Sequence, residues 1–165
     1  MSNEIVEKLK QISIFADVKD KPEALKIFAQ GMEIRRYNRG QKIIVEGEDG
    51  DEMFILYKGA VEISKNTFDK EMYTVTRLNS DQNAFFGELA MLDNDSRSAT
   101  VVAIDQCELL VLSKEKFFEI GNTHPTLGLL ITRQISQILG MRLRRANKDV
   151  ITLFEALVTE IEESA

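Results

Sequence analysis

"FFGELAMLDNDSRSATV", Phe85 to Val101, sets a carboxylate beside a glycine and then, across a polar turn, an arginine followed by small and β-branched residues. Gly87 has no Cβ, so another group can approach its backbone closely. "GELAML" suits a single helical turn, whose first amides have no intrahelical partner and favour an anion. Arg97 carries a permanent charge on a planar fork of donors, which matches two phosphate oxygens. Ser98 adds a hydroxyl beside it. Glu88 repels a phosphate, but its carboxylate can accept hydrogen bonds from a sugar hydroxyl, as acidic residues do in dinucleotide sites. Taken singly, a Gly-Glu pair is usually a solvated turn and a loop arginine usually a surface charge. Taken together, they ask for a ligand with an anionic phosphate and a free ribose hydroxyl close together. A cyclic nucleotide meets both demands.

Outward from this stretch, residues 33 to 113 read as short β runs. "MEIRRY", "QKIIVE", "EMFILYK", "GAVEIS", "EMYTVTRL", "SATVVAID" and "CELLVLS" are each bounded by Gly, Asn, Asp or Ser. Many short strands with frequent turns and no intervening helices predict an antiparallel roll, jelly roll or barrel. Helical patterns flank the roll. An apolar stripe at Ile5, Leu9 and Ile12 opens the chain. "DKPEALKIFAQG" predicts a second helix with Asp20 as its cap, Pro22 in its first turn and Gly31 at its end. Ser113 is placed to cap "KEKFFEIG".

From Thr126 to about Glu163 there is no proline and little turn chemistry. Leu139, Leu143, Ala146, Val150, Leu153 and Leu157 follow a heptad-like spacing, with Ile151, Phe154, Val158 and Ile161 beside them. So apolar a helix end either folds back or packs on another chain, and a homodimer through this helix is one expectation. The organisation is one domain over 1–165: N-terminal helices at 1–31, a β-roll at 32–113 containing the cassette 85–101, and C-terminal helices at 114–165.

Composition narrows the function. The formal net charge of −6 argues against a nucleic-acid partner. One cysteine, Cys107, precludes an internal disulfide, and the single histidine, His124, precludes a multi-histidine metal site of the kind a cupin enzyme needs. No apolar run is long enough to span a membrane, and the polar start "MSNEIVEKLKQ" is no secretory signal. These features predict a cytoplasmic protein that is not an enzyme and has no cofactor.

"FGELAML…RSATV" resembles the phosphate-binding cassette of the cyclic nucleotide-binding domain family, at Phe86, Gly87, Glu88, Leu89, Ala90, Met91, Leu92, Arg97, Ser98, Ala99, Thr100 and Val101. "IIVEGEDGDEMFILYKGAVEI" resembles the early hairpins of the family, with Gly47, Gly50 and Gly59 where sharp turns need positive φ. "CELLVLSKEKF" resembles the last strand and following helix. The resemblance spans about residues 20 to 145. It departs at "NSDQNA", which has no glycine in the turn before the cassette, and at Met91, where leucine is commoner.

The resemblance implies a mainly β fold with flanking helices: a jelly-roll-like antiparallel β-roll (a double-stranded β-helix) with a long C-terminal lid helix. It implies Phe86, Gly87, Glu88, Leu89, Ala90, Arg97, Ser98 and Ala99 as ligand contacts. Arg142 and Arg144, in "GMRLRRANK", stand where relatives often place base-contacting residues. Serine at position 98 occurs in bacterial relatives that bind cyclic AMP, so cyclic AMP is the expected ligand and cyclic GMP the alternative. The family's transcription regulators carry a winged helix-turn-helix after the long helix, for which this sequence has no room. The expected output is therefore an unidentified protein effector, a change in self-association, or a longer parent chain of which this is a fragment. A different ligand, such as a cyclic dinucleotide, or a non-binding interaction domain is the competing reading.

Overall fold

The strands "EMFILYK" and "CELLVLS" are apolar almost without alternation, and the structure shows why. In this computed structural model, which describes residues 2–67, 69 and 71–163, both strands are buried on two faces. Phe54 and Leu56 of β3 (Glu52–Lys58) point into the roll, as do Cys107, Leu109 and Val111 of β8 (Cys107–Ser113). Met53 and Ile55, with Leu110 and Leu112, point outward into a second core made by the helices. A strand covered on both sides has no polar face to show.

Two four-stranded antiparallel sheets form the roll. One has the order β1-β8-β3-β6, the other β2-β7-β4-β5. The remaining strands are β1 (Glu33–Tyr37), β2 (Lys42–Ile44), β4 (Ala60–Asn66), β5 (Met72–Asn79), β6 (Phe85–Phe86) and β7 (Thr100–Ala103). The inner core joins the sheets through Ile44, Val61, Val101 and Ala103, and Phe54 stacks on Phe86 with centroids 5.4 Å apart. The antiparallel roll with flanking helices expected from the sequence is the fold observed. β6 was hidden in the sequence because two residues carry no period. Its register, Phe54 with Phe86 and Ile55 with Phe85, anchors the start of the cassette to the central strand.

The helices are α1 (Ser2–Gln11), α2 (Pro22–Gly31), α3 (Lys114–Thr123) and α4 (Pro125–Glu163), with a 3₁₀ turn at Ser13–Val18. Asp20 does not cap α2. Lys21 holds that position, no side chain bonds there, and the carbonyl of Lys21 accepts the first helical bond, from Leu25. Pro22 at the start has no amide to satisfy, so a capping side chain is less needed. Ser113 does cap α3, accepting from the Lys116 amide at 3.2 Å.

α3 and α4 meet closely: a Cβ on Gly128 would lie 2.8 Å from the Cα of Gly121. The first third of α4 packs through Ile131, Ile135 and Ile138. α4 then runs uninterrupted through Gly140, and from Met141 onward every described residue is exposed. The distal half therefore does not fold back on its own domain.

Candidate functional site

The cassette leaves β6 at Phe86, and Gly87 turns it with φ +77°. Only glycine fits here on two counts. The backbone is left-handed, and a Cβ would lie 2.9 Å from the Glu52 carbonyl oxygen. The turn drives Glu88 inward at the head of a 3₁₀ turn, Glu88–Met91, where the residue is only 4% exposed. The Ala90 amide is used within the turn, on the Gly87 carbonyl at 3.2 Å, so it is not left over for an anion. Ala90 is buried. Leu89 and Ser98 are exposed, and Ala99 is half-buried at the foot of β7.

Arg97 lies against the same turn from the other side. Its Nη2 donates to the Glu52 carbonyl at 2.8 Å and its Nη1 to the Gly87 carbonyl at 3.4 Å. Among the described residues it makes no ion pair. Burial pulls its pKa below the usual arginine value, against the longer-range attraction of Glu52 and Asp51. A half-buried cation satisfied only by two carbonyl dipoles is a ready partner for an anion. The backbone of the β2–β3 loop holds the far end of the cassette: Arg97 N–H donates to Glu48 O at 2.8 Å, and Gly47 N–H to Arg97 O at 2.9 Å.

Gly47 and Gly59 have positive φ, as the sequence suggested, but Gly50 does not. Its glycine serves another purpose. A Cβ there would lie 2.3 Å from Nε of Arg97 and 2.7 Å from its Cζ. Gly50 is thus the floor on which the guanidinium rests. Gly50→Ala displaces the arginine without straining the backbone. The expected result is roughly five- to tenfold weaker binding of a phosphate ligand, about 1 kcal/mol, with little change in thermal stability. Calorimetry on the variant checks this, and unchanged affinity rejects the seat.

Of the two arginines expected from α4, the structure brings one to the cassette. Arg142 Nη1 donates to Glu88 Oε1 in an ion pair, and its guanidinium carbon sits 5.5 Å from the Phe85 ring centroid. Arg144 lies back toward Gly140 on its own helix and bonds nothing in the cassette. With a spacing of two residues, the pair points to different sides of a helix, so both could not reach one site.

Glu52 was missed in the sequence. Its carbonyl holds Arg97, and its carboxylate takes both Nη atoms of Arg35 at 2.8 Å, fixing the start of β3. No side-chain signal marks a backbone acceptor. A cleft of about 450 Å³ opens beside the cassette, lined by Asp49, Asp51, Asp93 and Asp95 with one lysine, Lys114. Gly50 and Ala90 also line it, so this acidic cleft borders the seat of Arg97. Among the described residues, no group of three or more His, Cys, Asp or Glu is placed to hold a metal ion, and no helix is long and apolar enough to cross a membrane.

A family model described as "Cyclic nucleotide-binding domain" matches residues 34–124, more than half of the chain. The chain belongs to the cyclic nucleotide-binding domain family. A cyclic AMP receptor protein of Thermus thermophilus is 26% identical over 129 residues, covering 78% of this chain and 57% of that protein. A cAMP-dependent protein kinase regulatory subunit of Mycosarcoma maydis is 39% identical over 105 residues, covering 62% of this chain and 19% of that protein. Among solved structures, a cyclic nucleotide-binding domain from Methylobacillus flagellatus superposes with a TM-score of 0.77 at 25% identity, covering 91% of this chain and 82% of that one. The chain thus spans little more than half of the receptor and a fifth of the kinase subunit. What the chain shares with these proteins is the domain, and the matched residues 34–124 include the segment that carries Gly87, Glu88 and Arg97.

Proposed function

We propose that this domain is a non-catalytic receptor for cyclic AMP, with cyclic GMP the closest competitor. The observation that carries this reading is the pairing of a buried Glu88 with a half-buried, carboxylate-free Arg97 on the two sides of the Gly87 turn. In this reading Arg97 leaves two carbonyls for the phosphate, and Glu88 accepts from the ribose hydroxyl. Phe86, Leu89, Ala90 and Ala99 shape the walls. Ser98 is exposed and its side chain makes no hydrogen bond among the described residues, which leaves its hydroxyl to the base or the phosphate.

The output follows from Arg142. In this state it ties α4 to Glu88, the group that the ribose needs. Ligand and lid therefore compete for one carboxylate, or share it in a new geometry, and either alters the position of α4. A two-state element biased by such differential contacts is the physical basis of a switch. The distal α4 carries the change outward, and its heptad stripe at Leu143, Ala146, Val150, Leu153 and Leu157 pairs two copies of the chain.

A thermal-shift panel tests the reading. Cyclic AMP at about one hundred times its Kd stabilises the domain by about 2.7 kcal/mol, a rise of several degrees. Cyclic GMP is expected to give a smaller rise, and linear 5′-AMP and cyclic dinucleotides none. A response to a cyclic dinucleotide alone transfers the site to that ligand, and silence across the panel rejects the receptor.

A further inference from the structure

The distal half of α4 shows not one apolar stripe but two. The first runs through Leu143, Ala146, Val150, Leu153 and Leu157. The second, Ile151, Phe154, Val158 and Ile161, has the same heptad spacing shifted by one residue. Both are exposed: Leu153 is 70% accessible on the first, Phe154 65% and Ile161 60% on the second. One residue turns a helix by about 100°, so the stripes face nearly perpendicular directions. Two helices joined along the first stripe leave the second in water, a contiguous apolar face of the kind monomers and dimers seldom keep. Two contact faces near a right angle are what each helix of a four-helix bundle presents to its neighbours.

The second stripe also indicates its orientation. Laid antiparallel on a copy of itself, it sets Ile151 against Ile161 and Phe154 against Val158, so every layer closes. Its flank carries Lys148, Glu155 and Glu162 at heptad intervals. A parallel pairing sets this flank against the opposite flank of the other copy, the apolar line of Val150 and Leu157, where the charges find no partner. The antiparallel pairing places Lys148 near Glu162 of the other copy, twice, and leaves only Glu155 facing itself. Opposite charges at such flanks favour one pairing over the other. The antiparallel arrangement also sends the β-rolls to opposite ends of the bundle.

We infer that the second stripe joins two pairs of chains, end to end and antiparallel, into a tetramer built on residues 150–161 of α4. Both contacts are two-fold and self-complementary, so the assembly closes with dihedral symmetry. The count of four rests on the first stripe pairing two copies, as proposed above. The test separates the two.

Light scattering on the full chain without ligand is expected to give four chain masses. Ile151→Lys with Val158→Lys, which leaves the first stripe intact, is expected to give two. Circular dichroism and thermal unfolding confirm that the variant keeps its helix and roll. For orientation, Ile151→Cys and Ile161→Cys chains are oxidised separately and after co-expression. The native Cys107 is buried and does not interfere. A disulfide-linked pair is expected only in the co-expressed sample. A wild-type mass of two chains overturns the tetramer and leaves the first pairing. A mass of one chain overturns both. An unchanged mass in the lysine variant, self-crosslinking of Ile151→Cys, or no crosslink on co-expression also overturns the proposed seam.

Discussion

Arg97→Leu is expected to weaken cyclic AMP binding at least thirtyfold, about 2 kcal/mol or more. The arginine has already surrendered part of its hydration on folding, which is why its pKa is drawn down. In exchange it has only the carbonyls of Glu52 and Gly87. A phosphate offers a full negative charge and two oxygens to the same fork, and charge-assisted bonds of that kind are the stronger ones. Leucine fills part of the volume and supplies neither charge nor donor. The phosphate would then lose its cation, while the longer-range charges of Glu52 and Asp51 that act on Arg97 remain. The fold should hardly notice, because Arg97 makes no ion pair among the described residues and its amide and carbonyl bonds to the β2–β3 loop are backbone bonds. Arg97→Lys should fall between, since a point charge replaces half of what a fork does. Titration calorimetry on the three proteins, with thermal melts as the fold control, decides it. Equal affinity for wild type and the leucine variant removes Arg97 from the site.

The comparison between sequence and structure turns on which atoms do the work. Side-chain patterns were readable. The seven β runs and the helix beginning at Pro125 follow from apolar periodicity and turn residues, because burial acts on side chains and the sequence states them. The continuous runs "MFIL" and "LLVL" were readable as strands, yet their two-sided burial became clear only once the helices were seen to cover the outer face. Backbone roles were not readable. Nothing in the letter E at position 52 announces that its carbonyl will hold Arg97. Gly50 was read as a turn residue because glycine most often supplies positive φ, whereas here it supplies empty space beneath a guanidinium. The family resemblance groups Arg144 with Arg142, since both stand where relatives often place base-contacting residues. The helix separates them by direction, and only Arg142 meets Glu88 and the Phe85 ring.

The choice between ribose and deoxyribose isolates Glu88. Wild type is expected to bind 2′-deoxy cyclic AMP at least tenfold more weakly than cyclic AMP, since one hydrogen bond to a charged group contributes about 1.5–3 kcal/mol. In Glu88→Gln the two ligands should bind within about threefold of each other, because the acceptor they distinguish has lost its charge. The absolute affinity of this variant carries two opposing effects. The ribose loses its charged acceptor, but Arg142 loses the partner that holds it across the site. The difference between the two ligands cancels the second effect, because α4 is released equally in both titrations. Hydrogen exchange supplies the missing half: the α4 amides around Arg142 should exchange faster in ligand-free Glu88→Gln than in wild type, as a lost tether frees the exposed stretch beyond Gly140. Discrimination that survives in Glu88→Gln would move the ribose contact to another residue. Unaltered exchange would show that α4 is held by Ile131, Ile135 and Ile138 alone, and that the ion pair reports the lid's position without setting it.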